Sequence, residues 1–333
     1  MAQNYEQTAS QVIASLAASS LSSVTKEAIQ TAIGTGGNVV ITTTVTNAGL
    51  QGAKIAETAG GVIDLSKASA SDIAALEAII VTGEESANIT IKNNNFDGTV
   101  VLGAGDGTVN LATNKAVKVE TGMGDDKITT GSGQDSVVVS AGDDSINTGA
   151  GNDKVSIKDG FVGKAVLDGG TGTNTLQFDD GVKNVTVNSS GQLVFTMDNT
   201  APGHKSTITA KNFNAIVLGD DGSSVNLKAS KKALNLTTGK GDDSVVLGSG
   251  KDSIVLGGGK DTIDTGAGVD KVDLSLLAIR DAVKGSANQV NVTLKDGTVL
   301  SITNAENFVY DSNGADEGGI VTVGLTTLDT FEF

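Results

Sequence analysis

Residues 121–156 read TGMGDDKIT TGSGQDSVV VSAGDDSIN TGAGNDKVS, which is a nine-residue pattern repeated four times. Residues 238–273 repeat the pattern as TGKGDDSVV LGSGKDSIV LGGGKDTID TGAGVDKVD. In all eight copies position four is glycine, position six is aspartate, and position eight is isoleucine or valine. Eight matches at three fixed positions are not an accident of composition, and they indicate a fold built from repeated structural units.

Each nonapeptide divides into a turn and a short strand. Positions one to six are rich in glycine and aspartate, which tolerate left-handed and turn conformations. Positions seven to nine place one β-branched residue between two residues that are mostly polar or small, as in a strand with a single inward side chain. Two nonapeptides then form one coil of a flattened, right-handed parallel β-solenoid, with coils roughly 4.8 Å apart. The predicted fold class is therefore all-β.

The aspartates at position six would stack along the edges of this solenoid. They are Asp126, Asp135, Asp144, Asp153, Asp243, Asp252, Asp261 and Asp270. Stacked carboxylates repel one another, and a cation between coils would relieve that repulsion. Carboxylate and carbonyl oxygens are the ligands that Ca²⁺ prefers, at about 2.3–2.6 Å. Aspartate is also an ordinary turn former, but turn formation does not require it at one position in eight copies. The pattern predicts calcium sites.

The repeat resembles G-G-x-G-x-D-x-U-x, the RTX or haemolysin-type calcium-binding nonapeptide. The strict copies cover 72 of 333 residues. Degenerate copies lie at 102–110, where Gly107 stands at position six, and at 169–177, where Asn174 does. The resemblance implies tandem calcium-binding parallel β-rolls with β-rich caps that bind several Ca²⁺ ions.

The resemblance also implies where the ions lie, between repeats that are two apart. This pairs Asp126 with Asp144, and it pairs the other six aspartates as listed here: Asp135 with Asp153, Asp243 with Asp261, and Asp252 with Asp270. Backbone carbonyls at positions two and four would complete each site. The glycines at these positions are Gly122, Gly124, Gly131, Gly133, Gly142, Gly149, Gly151, Gly239, Gly241, Gly248, Gly250, Gly257, Gly259, Gly266 and Gly268. Ser140 departs from the pattern at position two. Asn174 carries no charge, so we expect it to bind weakly or to cap the stack.

A longer repeat duplicates the two arrays. VLGAGDGTVNL at 101–111 parallels VLGDDGSSVNL at 217–227. We therefore predict a first calcium roll with its cap at 89–200 and a second at 201–317. A small, partly helical N-terminal region at 1–88, which could mediate assembly, precedes them, and a tail at 318–333 follows.

Local patterns add detail to this division. Helical spacing predicts soft helices within residues 8–33 and a short helix within 69–80, and alternation predicts a strand within 39–46. Hairpins are expected where Val185 and Val187 run towards Leu193 and Phe195, and at the two-residue turn Asp296–Gly297. Three phenylalanines hold matching places in a recurring segment and should be core anchors: Phe96, Phe213 and Phe308.

Composition excludes several classes of function. The chain has 39 acidic and 23 basic residues, a formal net charge of −16, which argues against nucleic-acid binding. It has no cysteine and one histidine, so thiolate and multi-histidine metal sites are excluded. No G-x-S-x-G or H-E-x-x-H motif occurs, and we expect neither catalytic residues nor a cofactor other than Ca²⁺. No run of residues is apolar and long enough for membrane insertion.

The resemblance implies export from a Gram-negative bacterium through a type I channel. The segment 318–333 looks similar to the uncleaved C-terminal signal of that route. Residues 1–6 have neither the basic region nor the compact apolar region of a secretory signal, so we do not expect a cleavable one. Low cytosolic calcium would keep the chain unfolded, and calcium outside would fold it. The chain resembles RTX structural proteins of surface layers (S-layers) and biofilm matrices. We expect it to self-assemble into a layer, filament or matrix, with copies of itself and cell-surface polysaccharide as partners. The alternatives are an adhesin or glycan- or ice-binding module, and a secreted enzyme of unfamiliar type.

Overall fold

The computed structural model describes most of the chain and has the predicted all-β architecture of a parallel β-solenoid. The described residues are 53–198, 205–285 and 288–311, the strands at 4–8, 38–42, 320–324 and 330–332, and positions 30, 46 and 50. The chain divides into two compact units. The first consists of Met1–Ile157 with Phe161–Asn174, and the second of Lys158–Gly160 with Thr175–Phe333. The four-part division predicted above is not tested by these units and stays a prediction.

The first unit contains two sheets and a short helix, α1 (Ala70–Ala75). One sheet has the strand order β1 (Asn4–Thr8), β2 (Asn38–Thr42), β3 (Ile55–Thr58), β5 (Ala78–Val81), β7 (Thr99–Val101), β9 (Lys118–Glu120), β11 (Ser136–Val139), β13 (Lys154–Ile157). The other has the order β4 (Gly61–Asp64), β6 (Ala87–Ile91), β8 (Gly107–Leu111), β10 (Lys127–Thr129), β12 (Ser145–Asn147), β14 (Lys164–Asp168). The chain alternates between the sheets, so nearly all neighbouring strands are parallel.

The second unit repeats this plan with added hairpins. One sheet has the order β15 (Thr175–Phe178), β19 (Ala215–Val217), β21 (Asn235–Thr237), β23 (Ser253–Val255), β25 (Lys271–Asp273), β29 (Asn307–Asp311), β30 (Ile320–Gly324). The other has the order β18 (Lys205–Lys211), β17 (Leu193–Asp198), β16 (Val182–Val187), β20 (Ser224–Asn226), β22 (Ser244–Val246), β24 (Thr262–Asp264), β28 (Val299–Thr303), β27 (Gln289–Leu294), β26 (Ile279–Lys284), β31 (Thr330–Glu332).

Position eight of the nonapeptide forms the interior, as predicted. Its residues pair in register with apolar residues of the coils before and after, and they are buried. In the first unit one column is Ile89, Val109, Ile128, Ile146 and Leu167, and the facing column is Ala56, Ile79, Val100, Val119, Val137 and Val155. In the second unit the columns are Val185, Val225, Val245, Ile263 and Ile302, and Leu176, Ile216, Leu236, Ile254, Val272 and Phe308.

The three phenylalanines are buried, as predicted, but Phe308 does not hold the predicted place. Phe96 and Phe213 lie in turns before β7 and β19. Phe308 lies within β29, where it pairs with Val272. Asn212 and Asn304 both have a left-handed φ of 62°, so Ala305 rather than Phe308 follows the equivalent asparagine. The two segments share the backbone turn at this asparagine, and not the position of the aromatic residue.

The helix predicted within residues 69–80 is shorter than expected. Ser69 caps α1 by accepting a hydrogen bond from the Asp72 amide, and the helix ends at Ala75. Ile79 and Ile80 lie instead in β5, which pairs with β3 and β7. Their β-branched side chains favour a strand, and the neighbouring coils supply its hydrogen bonds. The helices predicted within 8–33 fall almost wholly outside the described residues, whereas the strand predicted within 39–46 corresponds to β2.

Hairpins occur where the alternating segments predicted them. In one, Val185 pairs with Phe195 and Val187 with Leu193. The other joins β27 and β28, and its loop is one residue longer than predicted, because the Leu294 amide donates to the Thr298 carbonyl at 2.8 Å across Asp296 and Gly297. These antiparallel strands extend the sheet of the second unit beyond its parallel coils.

We expect a single truncation in the interior column to destabilise the protein strongly. Ile254 is fully buried between Leu236 and Val272, so Ile254→Ala should lower the free energy of unfolding by about 2–5 kcal/mol. Urea unfolding in excess calcium measures this change. Ser244→Ala, on the exposed face of β22, is the control and should have little effect. Equal effects of the two substitutions would contradict the assigned core.

Candidate metal centre

The position-six aspartates lie in two stacks in each unit, and every one is buried. Within a stack, the amide of one aspartate donates to Oδ1 of the aspartate 18 residues later. Asp126 donates to Asp144 at 2.9 Å and Asp135 to Asp153 at 2.8 Å. In the second unit Asp243 donates to Asp261 at 3.0 Å and Asp252 to Asp270 at 2.8 Å. The structure therefore brings together each pair that the resemblance implied.

Residues of other types continue these stacks at their ends. The Gly107 amide donates to Asp126 Oδ1 at 2.7 Å, and the Asp153 amide donates to Asn174 Oδ1 at 2.9 Å. Asn174 thus occupies a position-six place at the end of its stack. The Asp270 amide donates to Glu306 Oε2 at 2.7 Å. Glu306 lies outside any nonapeptide, so the repeat pattern gave no signal for it.

The second carboxylate oxygen of most of these aspartates is buried without a hydrogen-bond partner. The atoms concerned are Oδ2 of Asp135, Asp144, Asp153, Asp243, Asp261 and Asp270. Asp126 differs, because its Oδ2 accepts from the Gly122 amide at 3.1 Å. A buried charged oxygen without a partner costs several kcal/mol on an order-of-magnitude scale. A cation bound at these oxygens would remove that cost, so the side chains present fit Ca²⁺.

Glycine at positions two and four is required by the close approach of successive turns. An added Cβ at Gly142 would overlap the Gly124 carbonyl oxygen, and one at Gly151 would overlap that of Gly133. Gly142 and Gly151 also have left-handed φ values of 113° and 134°. All the glycines predicted as ligands lie in the same turns as the aspartates. Their small size keeps the carbonyl oxygens of these turns open to a neighbour.

Some of these carbonyls already accept one hydrogen bond. The Gly131 carbonyl accepts from the Ala150 amide at 3.0 Å, and the Gly248 carbonyl accepts from the Ala267 amide at 2.8 Å. A carbonyl oxygen has a second lone pair, so both remain able to bind a cation. Among the described residues, no group of three or more histidine, cysteine or acidic side chains could hold a metal ion. A calcium ion here would therefore need backbone oxygens beside its pair of carboxylates.

Ser140 is the one departure from glycine at position two of its stack. Its amide donates to Thr121 Oγ1 at 3.0 Å, and its Oγ is buried without a partner. The equivalent in the second unit is Gly257, whose amide donates to Thr238 Oγ1 at 3.4 Å. The turn thus accepts serine without losing this hydrogen bond.

Two further ladders were not recognised from the sequence. Threonines at position one link successive coils. In the repeats that contain Asp135 and Asp153, Thr130 Oγ1 donates to the Thr148 carbonyl at 2.8 Å. Exposed acids at position five form a row in which the Asp125 amide donates to Asp106 Oδ1 at 3.0 Å and the Asp143 amide to Asp125 Oδ1 at 2.8 Å. Threonine and aspartate do recur at these positions, and that recurrence was the available signal.

Burial raises the pKa of the position-six carboxyls. The pKa rises to about 7 for Asp144 and Asp261 and to about 6 for Asp126 and Asp243, in each case mainly because burial disfavours the charged form. Nearby carboxylates, such as Asp125 beside Asp144, add to the rise. The pKa is also raised by burial for Asp135, Asp153, Asp252 and Asp270. Without a metal ion, burial therefore shifts each of these carboxyls towards its protonated form.

A family model described as the RTX calcium-binding nonapeptide repeat, in four copies, matches residues 120–155 and 237–272. These two segments contain all eight position-six aspartates, and repeats of this family bind Ca²⁺. No curated protein matches the chain. Among the helices that the structure describes, none has the length and apolarity to cross a membrane.

Acid should stabilise the calcium-free protein. The folded pKa values of about 6–7 exceed the ordinary value of 3.8, so the folded chain holds protons that the unfolded chain has released. Stability without calcium should therefore be greatest below about pH 4 as far as these groups are concerned, and should fall as the pH rises from about 4 through about 7. Refolding by trimethylamine N-oxide in chelator, followed by circular dichroism at several pH values, measures the slope for a chain that is unfolded without calcium. A metal-free stability that rises from pH 5 to pH 7 would contradict the assigned burial.

Asp144→Asn should weaken calcium binding and stabilise the calcium-free fold. Asparagine keeps an oxygen that accepts from the Asp126 amide but removes the buried charge. The calcium concentration at the midpoint of folding should therefore rise at least about tenfold, which corresponds to about 1.4 kcal/mol of binding free energy. Circular dichroism during a calcium titration gives the midpoint, and refolding by trimethylamine N-oxide in chelator gives the metal-free stability. Asp143→Asn, in the exposed neighbouring position, is the matched control. An unchanged midpoint for Asp144→Asn would remove Asp144 from the ligand set.

Proposed function

We propose that this chain is a secreted structural protein that folds on binding Ca²⁺ outside the cell and then self-assembles into a surface layer, filament or biofilm matrix. One observation carries the proposal. The stacked aspartates place buried oxygens without partners between coils in both units, so folding without a cation is disfavoured. Extracellular calcium modules commonly bind in the range of about 10⁻⁴–10⁻³ M. Calcium at that level outside the cell would fold the chain, whereas the cytosolic level would not.

Secretion is supported by the matched repeats, since RTX repeats are typical of secreted proteins. We propose the type I route, with the segment 318–333 as its signal. The described parts of that segment form β30, which pairs with β29, and β31, which pairs with β26. The secretion channel would recognise the signal in the unfolded chain, before calcium binds. Calcium outside the cell would then fold these strands. Absence of cysteine from the chain is consistent with this route.

Self-assembly is supported by the surface of the first unit. Strand β4 pairs with β6 on one side, and no described strand pairs with its other side. The side chain of Val62 on this strand is 80% exposed. An open strand edge with an exposed apolar residue is a template for pairing with another chain. Copies of the same protein are therefore the first partners that we propose, and cell-surface polysaccharide is the second.

One observation favours the alternative of an adhesin or a glycan- or ice-binding module. Register between coils aligns small polar residues on the outer face of the second unit. The column consists of Asn184, Ser224, Ser244, Thr262 and Ser301. Strand spacing repeats these polar groups about every 4.8 Å, which suits a regular polar ligand. Ser244 and Thr262 share position seven of the nonapeptide, but the other three residues lie outside the repeats, so the sequence did not reveal the whole column.

Electron microscopy with and without calcium tests the structural role. Millimolar calcium should convert the purified protein from an unfolded chain into ordered sheets or fibres, and chelator should reverse the change. Magnesium at the same ionic strength is the control, because Mg²⁺ demands stricter octahedral geometry and releases its water reluctantly. Fibres in magnesium alone would show that screening of the negative charge is sufficient for assembly, and would contradict a specific requirement for calcium.

A calcium-folded monomer at high protein concentration would contradict self-assembly and favour the binding module. A glycan array and an ice-recrystallisation assay then test that alternative. Circular dichroism on the same samples separates failure to assemble from failure to fold. Spectra that are identical with calcium and with chelator would remove the calcium-dependent folding on which both functions rest.

A further inference from the structure

The second unit contains a cavity of about 270 Å³ beside the hairpin of β16 and β17. Val187 and Leu193 of the hairpin and Phe213 form part of its apolar wall. The turn at 227–234 forms the rest, with Leu227 and Leu234 at its two ends. Two exposed lysines of this turn, Lys231 and Lys232, also line the cavity, and none of the described residues lining it is acidic. The cavity is thus apolar inside and basic at its exposed side.

The turn at 227–234 in the second unit differs from its equivalent in the first unit, the turn at 111–117. The turn at 111–117 is one residue shorter than the turn at 227–234, and it contains one lysine where the longer turn contains three. In the first unit Thr113 Oγ1 donates to the Phe96 carbonyl at 3.0 Å, and Phe96 is fully buried. Phe213 and Leu234 keep 8% exposure each. The longer turn and the hairpin therefore leave space beside the aromatic ring.

The residues that line the cavity indicate an anionic ligand with an apolar part. The chain carries a net charge of −16, yet basic side chains border this cavity. Within the described part of the chain, neither Lys231 nor Lys232 forms an ion pair. Aliphatic walls take an alkyl chain, and ammonium groups attract an anionic head group. The volume is slightly below the range of about 300–1,000 Å³ typical of ligand pockets, so the ligand is small.

We propose that this cavity binds a soluble medium-chain carboxylate, with its alkyl chain against Leu193, Phe213 and Leu234 and its carboxylate at Lys231 and Lys232. This activity lies beyond calcium-dependent folding and assembly. The cavity is nevertheless attached to a calcium turn, because the Leu234 amide donates to Asp252 Oδ1 at 2.9 Å and the Ser249 amide donates to the Ser230 carbonyl at 3.0 Å. We therefore expect binding in calcium and none in chelator.

Calorimetry on the full chain in calcium tests the proposal with hexanoate, heptanoate, octanoate and nonanoate as probes. Each added methylene that enters the cavity should tighten binding by about fourfold. Ala233→Phe should fill the cavity and abolish binding, because Ala233 is exposed and lines it. Ala116→Phe, at the equivalent exposed position of the first unit, is the matched control and should bind normally. Lys231→Gln with Lys232→Gln should weaken nonanoate binding at least tenfold.

Several results would overturn this assignment. They are no saturable binding by the calcium-folded protein, unchanged affinity in Ala233→Phe, no dependence on chain length, and octanol binding as tightly as octanoate. Binding to vesicles of anionic phosphatidylglycerol without binding to any soluble carboxylate would also overturn it, because the surface would then contact membranes instead. Circular dichroism in calcium verifies that each variant folds. Should Ala233→Phe fail to fold, the lysine variant and the chain-length series still decide the outcome.

Discussion

A carboxylate taken out of water stays charged in a protein only where something compensates for its lost hydration. The fold of this chain depends on that constraint. Each position-six aspartate uses one oxygen to accept an amide from a neighbouring coil, as Asp144 does from Asp126, and this hydrogen bond holds successive turns in register. The other oxygen is left buried, with most of these atoms unpartnered. The same buried carboxylate therefore aligns the coils through one oxygen and needs a cation at the other.

The apolar interior cannot offset this demand by itself, because it is thin. Strands of three to five residues contribute mostly one or two inward side chains each, such as Ile128 in β10 and Val245 in β22. A conventional domain buries several layers of apolar side chains around one core. Here two facing columns of inward side chains run through each unit, other buried apolar residues such as Phe96 and Phe161 add to them, and the turns at both edges contain charge. Stability is thus divided between a small hydrophobic term and the electrostatic state of the edges.

The duplicated arrays use the same device with different surroundings. In the first unit an exposed row of acids, Asp106, Asp125 and Asp143, runs beside the buried stack and adds negative potential to it. In the second unit the corresponding row is interrupted, since Lys260 follows Asp242. A turn rich in lysine borders a cavity there. The two units thus share the aspartate turns of the candidate metal centre and differ in the residues around them.

Much of the fold and of the candidate site could be predicted because the nonapeptide repeats its information. Residues such as Asp135 and Asp153 are recognisable one at a time, and their spacing predicts that they stack. Glu306 could not be predicted, because it reaches the stack from a segment without the repeat. Phe308 was placed wrongly, because its role depends on a left-handed asparagine that composition does not reveal. The predicted helix is longer than the observed one, which ends at Ala75. Ile79 and Ile80 lie in a strand because they pair with neighbouring coils, and helical spacing along the sequence does not reveal that pairing.

The sequence by itself determined the period, the inward residues, and the kind of chemistry at the edges, since each of these properties belongs to a single nonapeptide. Tertiary structure decided which carboxylate oxygen lacks a partner, which polar side chains align across coils, and where a cavity opens. Those features arise between residues 18 or more positions apart, as between Asp126 and Asp144. Their geometry depends on strand register and on the length of individual turns, and a one-residue difference in a turn is enough to change it.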